Sequence, residues 1–442
     1  MRIVAHLFIV LTALTACSTG KAASNDLRIA TFNIAMGLQE EGQLGQNLAS
    51  GLELHLQQVA EILQRVQADI VVLNEFDYDP DHDAADLFNE HYLAKSWNGQ
   101  QTIQYPYSYR GPVNTGVDSG LDLDGNGKTG ESQDAWGYGS FPGQYGMLVL
   151  SRFPIRLEAT RTFQHFPWSA LPAAQRPLNP DGSNFYPDDI WKQLRLSSKS
   201  HWDLLIDVNG YDLHFLVHHP TPPVFDGPED RNGKRNYDEN RFWIEYIGRG
   251  DRDYIIDDKG GTGGLDKGAM FVIAGDLNAD PMDGDSVSGE LKVENSEKNE
   301  DTHDSHEKNE DTHNEKNEDT HELNEELNKD THDGQDGDST AGAIGQLLAF
   351  PLINATCTPL SSGGREASVV QGGKNRQHKG DPAADTSDFS DERTGNLRLD
   401  YLLPSANISV RKCGVFWPAN GEAGHGLVDA SDHRLVWLDI SL

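Results

Sequence analysis

The chain has 442 residues, 36% of them apolar and including 8 Trp and 16 Phe, enough for a substantial core and too many for a chain disordered throughout. Its 70 acidic residues against 36 basic ones leave a formal net charge of −34. A field of that sign repels nucleic acids and anionic membrane surfaces unless a local patch or a bound cation reverses it.

The first stretch, MRIVAHLFIVLTALTACSTG, carries one Arg and an apolar run too short to span a membrane, and reads as a secretory signal. Leu14-Thr15-Ala16-Cys17 resembles a lipobox, in which the cysteine becomes the lipidated first residue of the mature protein. Cleavage at KAAS, giving an ordinary secreted protein, is the alternative. The expected location is therefore exported: a cell-envelope lipoprotein held to the membrane by lipid on Cys17, on the periplasmic side or the cell surface, or else secreted. Residues 1–24 form this leader, and 25–442 are expected to be a single domain and a monomer. Two cysteines remain, Cys357 and Cys413, and in an oxidising compartment they most simply form one disulfide.

LRIATFNI (27–34) is the first strand, and Val59, Ile62, Leu63 and Val66 recur at helical spacing, so an amphipathic helix joins it to the second strand, DIVVLNEF (69–76). A large region from Tyr107 to Tyr145 follows, with DLDGNGKTGESQD inside it. Asp122, Asp124, Asn126 and Gly127 imitate the first half of a calcium loop, but the bidentate Glu expected at the twelfth place is Gln133, so a bound Ca²⁺ competes with an acidic Gly-rich turn. YGMLVLSRFPI (145–155) is another strand. WDLLIDVNGYDLHFLVHH is a hairpin, since Asn209-Gly210 is a favoured two-residue turn between alternating segments. FVIAGDLN (271–278), RLDYLL (398–403) and the last strand, where Leu435, Trp437 and Asp439 to Ile440 read as apolar side chains at alternating places, complete the set. Together they suggest two mainly antiparallel sheets packed face to face with helices outside.

One segment interrupts the domain. Residues 288–338 hold 19 acidic and 5 basic residues, so −14 of the net charge lies there and −20 elsewhere. EKNEDTH occurs three times between 297 and 321, nothing in the unit is apolar, and the tract is expected to be disordered.

Polar residues punctuate the strands. Asn33 ends the first and Glu75 the second, His219 follows the hairpin, and Asp276 and Asn278 end FVIAG. Asp400 and Asp432-His433 open strands, and in an antiparallel sheet a strand's beginning lies beside its neighbour's end, so all could share one rim. Singly, each is an ordinary turn residue. Convergent carboxylates with an amide suit a hard divalent cation such as Mg²⁺, and a His paired with an Asp suits proton exchange with water. That combination describes metal-assisted hydrolysis of a phosphoester.

The pieces TFNI, LNEF, LSRFPI, HHPTPP, GDLNADP, RLDYLL and SDHRLV, in this order, resemble the endonuclease/exonuclease/phosphatase superfamily, with its deoxyribonuclease-I-like fold. The resemblance implies an α/β (α+β) four-layer sandwich, with Asn33, Glu75 and Asp432 as ligands of Mg²⁺ or Mn²⁺. It gives Asp276 and Asn278 the task of orienting water and phosphate. His433, held by Asp400, becomes the base or transition-state partner, and His219 the second catalytic histidine. His218 is its rival, and adjacent strand residues point to opposite faces, so only one can reach the site. Asn74 stands where the family has Gln. The implied activity is a phosphodiesterase, nuclease or phosphatase; charge weighs against a nucleic-acid substrate without forbidding it, and no basic stripe with interleaved aromatics is present. The competing classes are a binding protein that kept the fold and lost the chemistry, and a calcium-dependent surface protein built around the acidic repeats and DLDGNG.

Overall fold

A computed structural model describes residues 26–80, 82–282 and 340–442. The leader with Cys17 and the acidic repeats lie outside the described residues. Thirteen strands are found among those described: β1 (Asp26–Asn33), β2 (Ile70–Asn74), β3 (Tyr107–Tyr109), β4 (Met147–Ser151), β5 (Arg161–Thr162), β6 (His201–Val208), β7 (Tyr211–His218), β8 (Met270–Asp276), β9 (Ser387–Asp388), β10 (Asn396–Leu397), β11 (Asp400–Pro404), β12 (Ser409–Val415) and β13 (Val436–Ser441). Six form one sheet in the order β12-β13-β1-β2-β4-β3, five a second in the order β11-β8-β7-β6-β5, and β9 and β10 pair separately. Pairing is antiparallel except between β1 and β2 and between β7 and β8. The hairpin turns at Asn209 (φ 55°) and Gly210 (φ 92°), with Val208 opposite Tyr211.

The period-two alternation of the strands builds the layers. On β1, Leu27 and Ile29 face the second sheet, where Trp202, Leu204, Phe215 and Val272 meet them. Ala30 and Phe32 face outward, under Leu56, Val59 and Leu63 of the helix Leu54–Val66. Beyond the second sheet, Leu216, Ile273 and Tyr401 pack on the helices Arg231–Ile247 and Thr340–Ala349 through Trp243, Tyr246, Ile344 and Leu347. The order is helix, sheet, sheet, helix, the expected four-layer sandwich.

The last strand corrects one expectation. Leu435 and Trp437 pack on the helix side, but Val436, Leu438 and Ile440 fill the space between the sheets, and Asp439 pairs with Arg28 at 2.6 Å. A strand covered on both faces carries apolar residues at consecutive places, so alternation alone does not reveal its inner side. Cys357 and Cys413 form a disulfide that ties the segment ahead of the helix Ser362–Gln371 to β12. Among the described residues no helix is long and apolar enough to cross a membrane.

Candidate active site

Register brings the polar strand ends together. Asn33 lies opposite Asn74 in the β1–β2 pair, and Asp276 opposite Asp400 in the β8–β11 pair. The amide of Asn33 spans the two sheets, donating through Nδ2 to Glu75 Oε1 and to Asp276 Oδ2, each at 3.0 Å. The Ser431 hydroxyl donates to the Asn33 carbonyl at 2.8 Å and so fastens the Ser431-Asp432-His433 turn to the end of β1. Glu75 (φ 59°) and Asn278 (φ 49°) are both left-handed. Asn tolerates that conformation, whereas for Glu it costs on the order of 1–3 kcal/mol, a strain held in place by the surrounding sheet.

His433 is buried, with Nδ1 2.8 Å from Asp400 Oδ2 and Nε2 3.5 Å from Asp276 Oδ2. Asp400 Oδ2 also accepts from the Thr386 hydroxyl at 2.7 Å, which fixes the carboxylate that fixes the ring. Burial alone would lower the imidazole pKa, but the charges of Asp400, Asp276 and Asp432 and the Asp400 hydrogen bond prevail and hold it up at about 10. Asp276 is raised, first by burial and then by Asp400, against the opposing pull of His433. Its Oδ1 accepts from the Asn278 N–H at 2.9 Å.

His219, not His218, reaches this cluster. His219 Nε2 lies 3.5 Å from Asp276 Oδ2, and its buried Nδ1 has no hydrogen-bond partner among the described residues. Burial, then the charges of Lys199 and His433, push its pKa well below the usual value, so it is a neutral ring. His218 turns the other way: it stacks on His201, accepts from Trp243 Nε1 at 2.8 Å and donates to Asn240 Oδ1 at 3.2 Å. The helix Arg231–Ile247 carries Asn240 and braces the site loops with its buried polar face. Asn236 Nδ2 donates to the carbonyls of Thr221 and Asn278, and Glu239 accepts from the N–H groups of Ser198 and Thr221, each at 2.7 Å.

The residues present fit a divalent cation. Burial, then Asp432, raises the Glu75 carboxyl against the Asn33 hydrogen bond, so its anion lacks full compensation. Asp432 is exposed and its charge acts on both Glu75 and His433. They offer the hard oxygen donors such an ion takes, beside Asn33, whose Oδ1 accepts from the Ala35 N–H at 3.0 Å. Asp276, Asp400 and His433 also converge within 4.8 Å and could hold a metal ion, although there Asp400 already binds His433 through a hydrogen bond. Lys199, buried before β6 and interacting with Glu75 and Asp276, was not singled out in the sequence. It sits in the polar run SSKS, which has no periodicity to mark it.

In the large insertion, Asp122 and Asp124 converge within 4.8 Å on Asp134, the residue after Gln133. Asp134 is fully buried and accepts from the Leu123 N–H at 2.8 Å. Asn126 instead donates to Asp124 Oδ2 and Glu131 Oε2, so the third acid comes from one place beyond the twelfth.

No curated protein matches the chain. Among solved structures, an endonuclease/exonuclease/phosphatase from Beutenbergia cavernae is similar at 16% identity, with a TM-score of 0.44, covering 94% of this chain and 72% of that one. A mannosyl-6-phosphatase of Bacteroides thetaiotaomicron (12% identity, TM-score 0.39, 94% and 100% covered) and sphingomyelinase C of Streptomyces griseocarneus (13%, 0.40, 94% and 99%) are further likenesses. The model of the Endonuclease/Exonuclease/phosphatase family matches residues 30–433, from the first strand to the histidine beside Asp400. The chain therefore belongs to that family of metal-dependent phosphoester hydrolases.

Proposed function

We propose that this protein is an exported phosphoester hydrolase that uses Mg²⁺ or Mn²⁺, with Asn33, Glu75 and Asp432 holding the ion and Asp276, Asn278, His219, Asp400 and His433 handling substrate and protons. The observation that carries the reading is the convergence of His433, His219 and Asn33 on the single carboxylate of Asp276. When bound, the cation supplies Lewis-acid polarisation of a phosphoryl oxygen. His433, kept protonated by Asp400, donates to charge developing on the phosphoryl group. Asp276, raised by burial and oriented by the Asn278 N–H, is placed to accept a proton from water. The neutral ring of His219 keeps a donor on the same carboxylate without adding positive charge.

Turnover of bis-(p-nitrophenyl) phosphate, p-nitrophenyl phosphate and plasmid DNA, each in Mg²⁺, Mn²⁺ and EDTA, tests the reading and separates diester, monoester and nucleic-acid substrates. Asp432→Asn and His433→Gln should fold and lose about a hundredfold or more in turnover. Raised Mg²⁺ or added Mn²⁺ should partly rescue the first, whose defect is occupancy, and leave the second unchanged. Full activity in either variant, or in EDTA, would sink the proposal. Export and lipidation are tested by fatty-acid labelling that disappears in Cys17→Ser.

The acids Asp122, Asp124 and Asp134, with Asn126 beside them, support a second reading, a structural Ca²⁺ in the insertion. Calcium should then raise the melting temperature of the wild type and not that of Asp122→Ala.

A further inference from the structure

Lys199 is the only buried lysine among the described residues, 5% exposed, and its ammonium finds no hydrogen bond or ion pair among them. Its backbone is clamped from three sides. The Lys199 carbonyl accepts from the Asn114 N–H at 3.0 Å, the Ser198 N–H donates to Glu239 at 2.7 Å, and the Ser197 carbonyl accepts from Asn114 Nδ2 at 2.8 Å. Gly137 of the insertion lies so close that a Cβ there would sit 2.0 Å from the Ser198 carbonyl. The backbone that carries the side chain is thereby fixed at the rim. Register places it on the same rim as the site: His201 lies opposite His218 in the β6–β7 pair, and the Glu239 carboxylate takes the N–H groups of both Ser198 and Thr221. Lys199 therefore stands across from the His219–Thr221 loop, where its charge acts on Glu239, Glu75, Asp276 and His219. Glu239 is already filled by two backbone N–H groups and Asp276 Oδ2 by Asn33, so neither is a free counter-ion. The ammonium lies near these acids yet hydrogen-bonds to none of the described residues, so its donors are open to an entering anion, and a charge-assisted hydrogen bond offsets part of the cost of burial.

We propose that Lys199 is a substrate-contact residue whose ammonium takes a non-bridging oxygen of the phosphoester beside Asp276 and His219. The inference rests on the phosphoesterase reading for its substrate class. A lysine suits the task because it is a compact point charge with three donors, able to follow the phosphoryl oxygen without a fixed plane.

The test compares wild type, Lys199→Met and Lys199→Arg in Mg²⁺, measuring calorimetric affinity for inorganic phosphate, KM and kcat for bis-(p-nitrophenyl) phosphate, and melting temperature. Lys199→Met should bind phosphate about 10- to 100-fold more weakly, the loss expected for one hydrogen bond to a charged group. Its melting temperature should stay or rise, because burial disfavours this charge more than the neighbouring acids favour it. Lys199→Arg should recover part of the phosphate affinity. A structural counter-charge gives the opposite pattern, a lowered melting temperature with phosphate affinity unchanged, and that overturns the proposal. So does a wild type that does not bind phosphate. A wild type that binds phosphate through Lys199 and hydrolyses none of the esters would refute the phosphoesterase reading and leave this inference standing.

Discussion

Replacing His433 by Gln tests the site's electrostatics apart from turnover. Burial would lower the pKa of this ring, yet Asp400, Asp276 and Asp432 hold it at about 10. A group whose folded pKa is raised contributes stability that is fully present below its unfolded value near 6.5 and is lost as pH rises through the folded value. From pH 7 to 10 the loss is about 1.36 kcal/mol per pH unit, on the order of 4 kcal/mol in all. Urea unfolding of metal-stripped protein at steps across that range should show wild type losing this much relative to His433→Gln. Lys199 and the tyrosines titrate in both proteins and largely cancel in the difference. Adding Mg²⁺ should shrink the gap, because a cation at Glu75 and Asp432 competes with the imidazolium for the same negative field. A stability difference that stays constant from pH 7 to 10 would refute the reasoning, because the ring would then carry no buried proton.

Glu75→Gln should raise the melting temperature of metal-free protein at pH 7, since burial raises this carboxyl and its ionised form costs stability above the unfolded value near 4.5, while turnover in Mg²⁺ is lost; a lower melting temperature would count against it. Changing Cys357 and Cys413 to Ser opens a loop of 56 residues and should lower unfolding free energy by about 4 kcal/mol under non-reducing conditions, read from urea midpoints. At Gly275 a Cβ would meet the His218 carbonyl at 2.0 Å, so Gly275→Ala should prevent β7 and β8 from pairing and give little soluble protein. Gly345, with open space around its Cβ position on the helix Thr340–Ala349, is the control: Gly345→Ala should add about 1 kcal/mol of stability.

The strands that carry the site were legible because each is a short apolar run stopped by a polar residue, as in TFN at Asn33 and IAGD at Asp276. The helix Arg231–Ile247 was not, because it buries Asn236, Asp238, Glu239 and Asn240 and so has no apolar stripe to count. Those polar side chains are spoken for by loop carbonyls and N–H groups that only the fold brings near. Lys199 was hidden for the same reason: its environment is made by Glu75, Asp276 and Glu239, all distant in sequence. The calcium-loop pattern pointed to Asp122 and Asp124 but fixed the closing acid by counting to Gln133, whereas the chain turns through a short 3-10 segment, Ser132–Asp134, and brings in the next residue.

The pairing of β1 with β13 has a bearing on how the protein is made. Asn33 and the turn that carries His433 are joined by the Ser431 hydroxyl across 398 positions of chain. A ribosome that has delivered Asn33, Glu75, His219 and Asp276 has therefore made most of the polar cluster but not the imidazole that Asp400 holds. While the chain is still being synthesised, β1 lacks one of its two neighbours and Asp400 lacks its imidazole. Nascent chains stalled short of residue 433 should be inert towards phosphoesters however much of the sheet has formed, so a cell making this hydrolase is shielded from it until translation has passed the whole site.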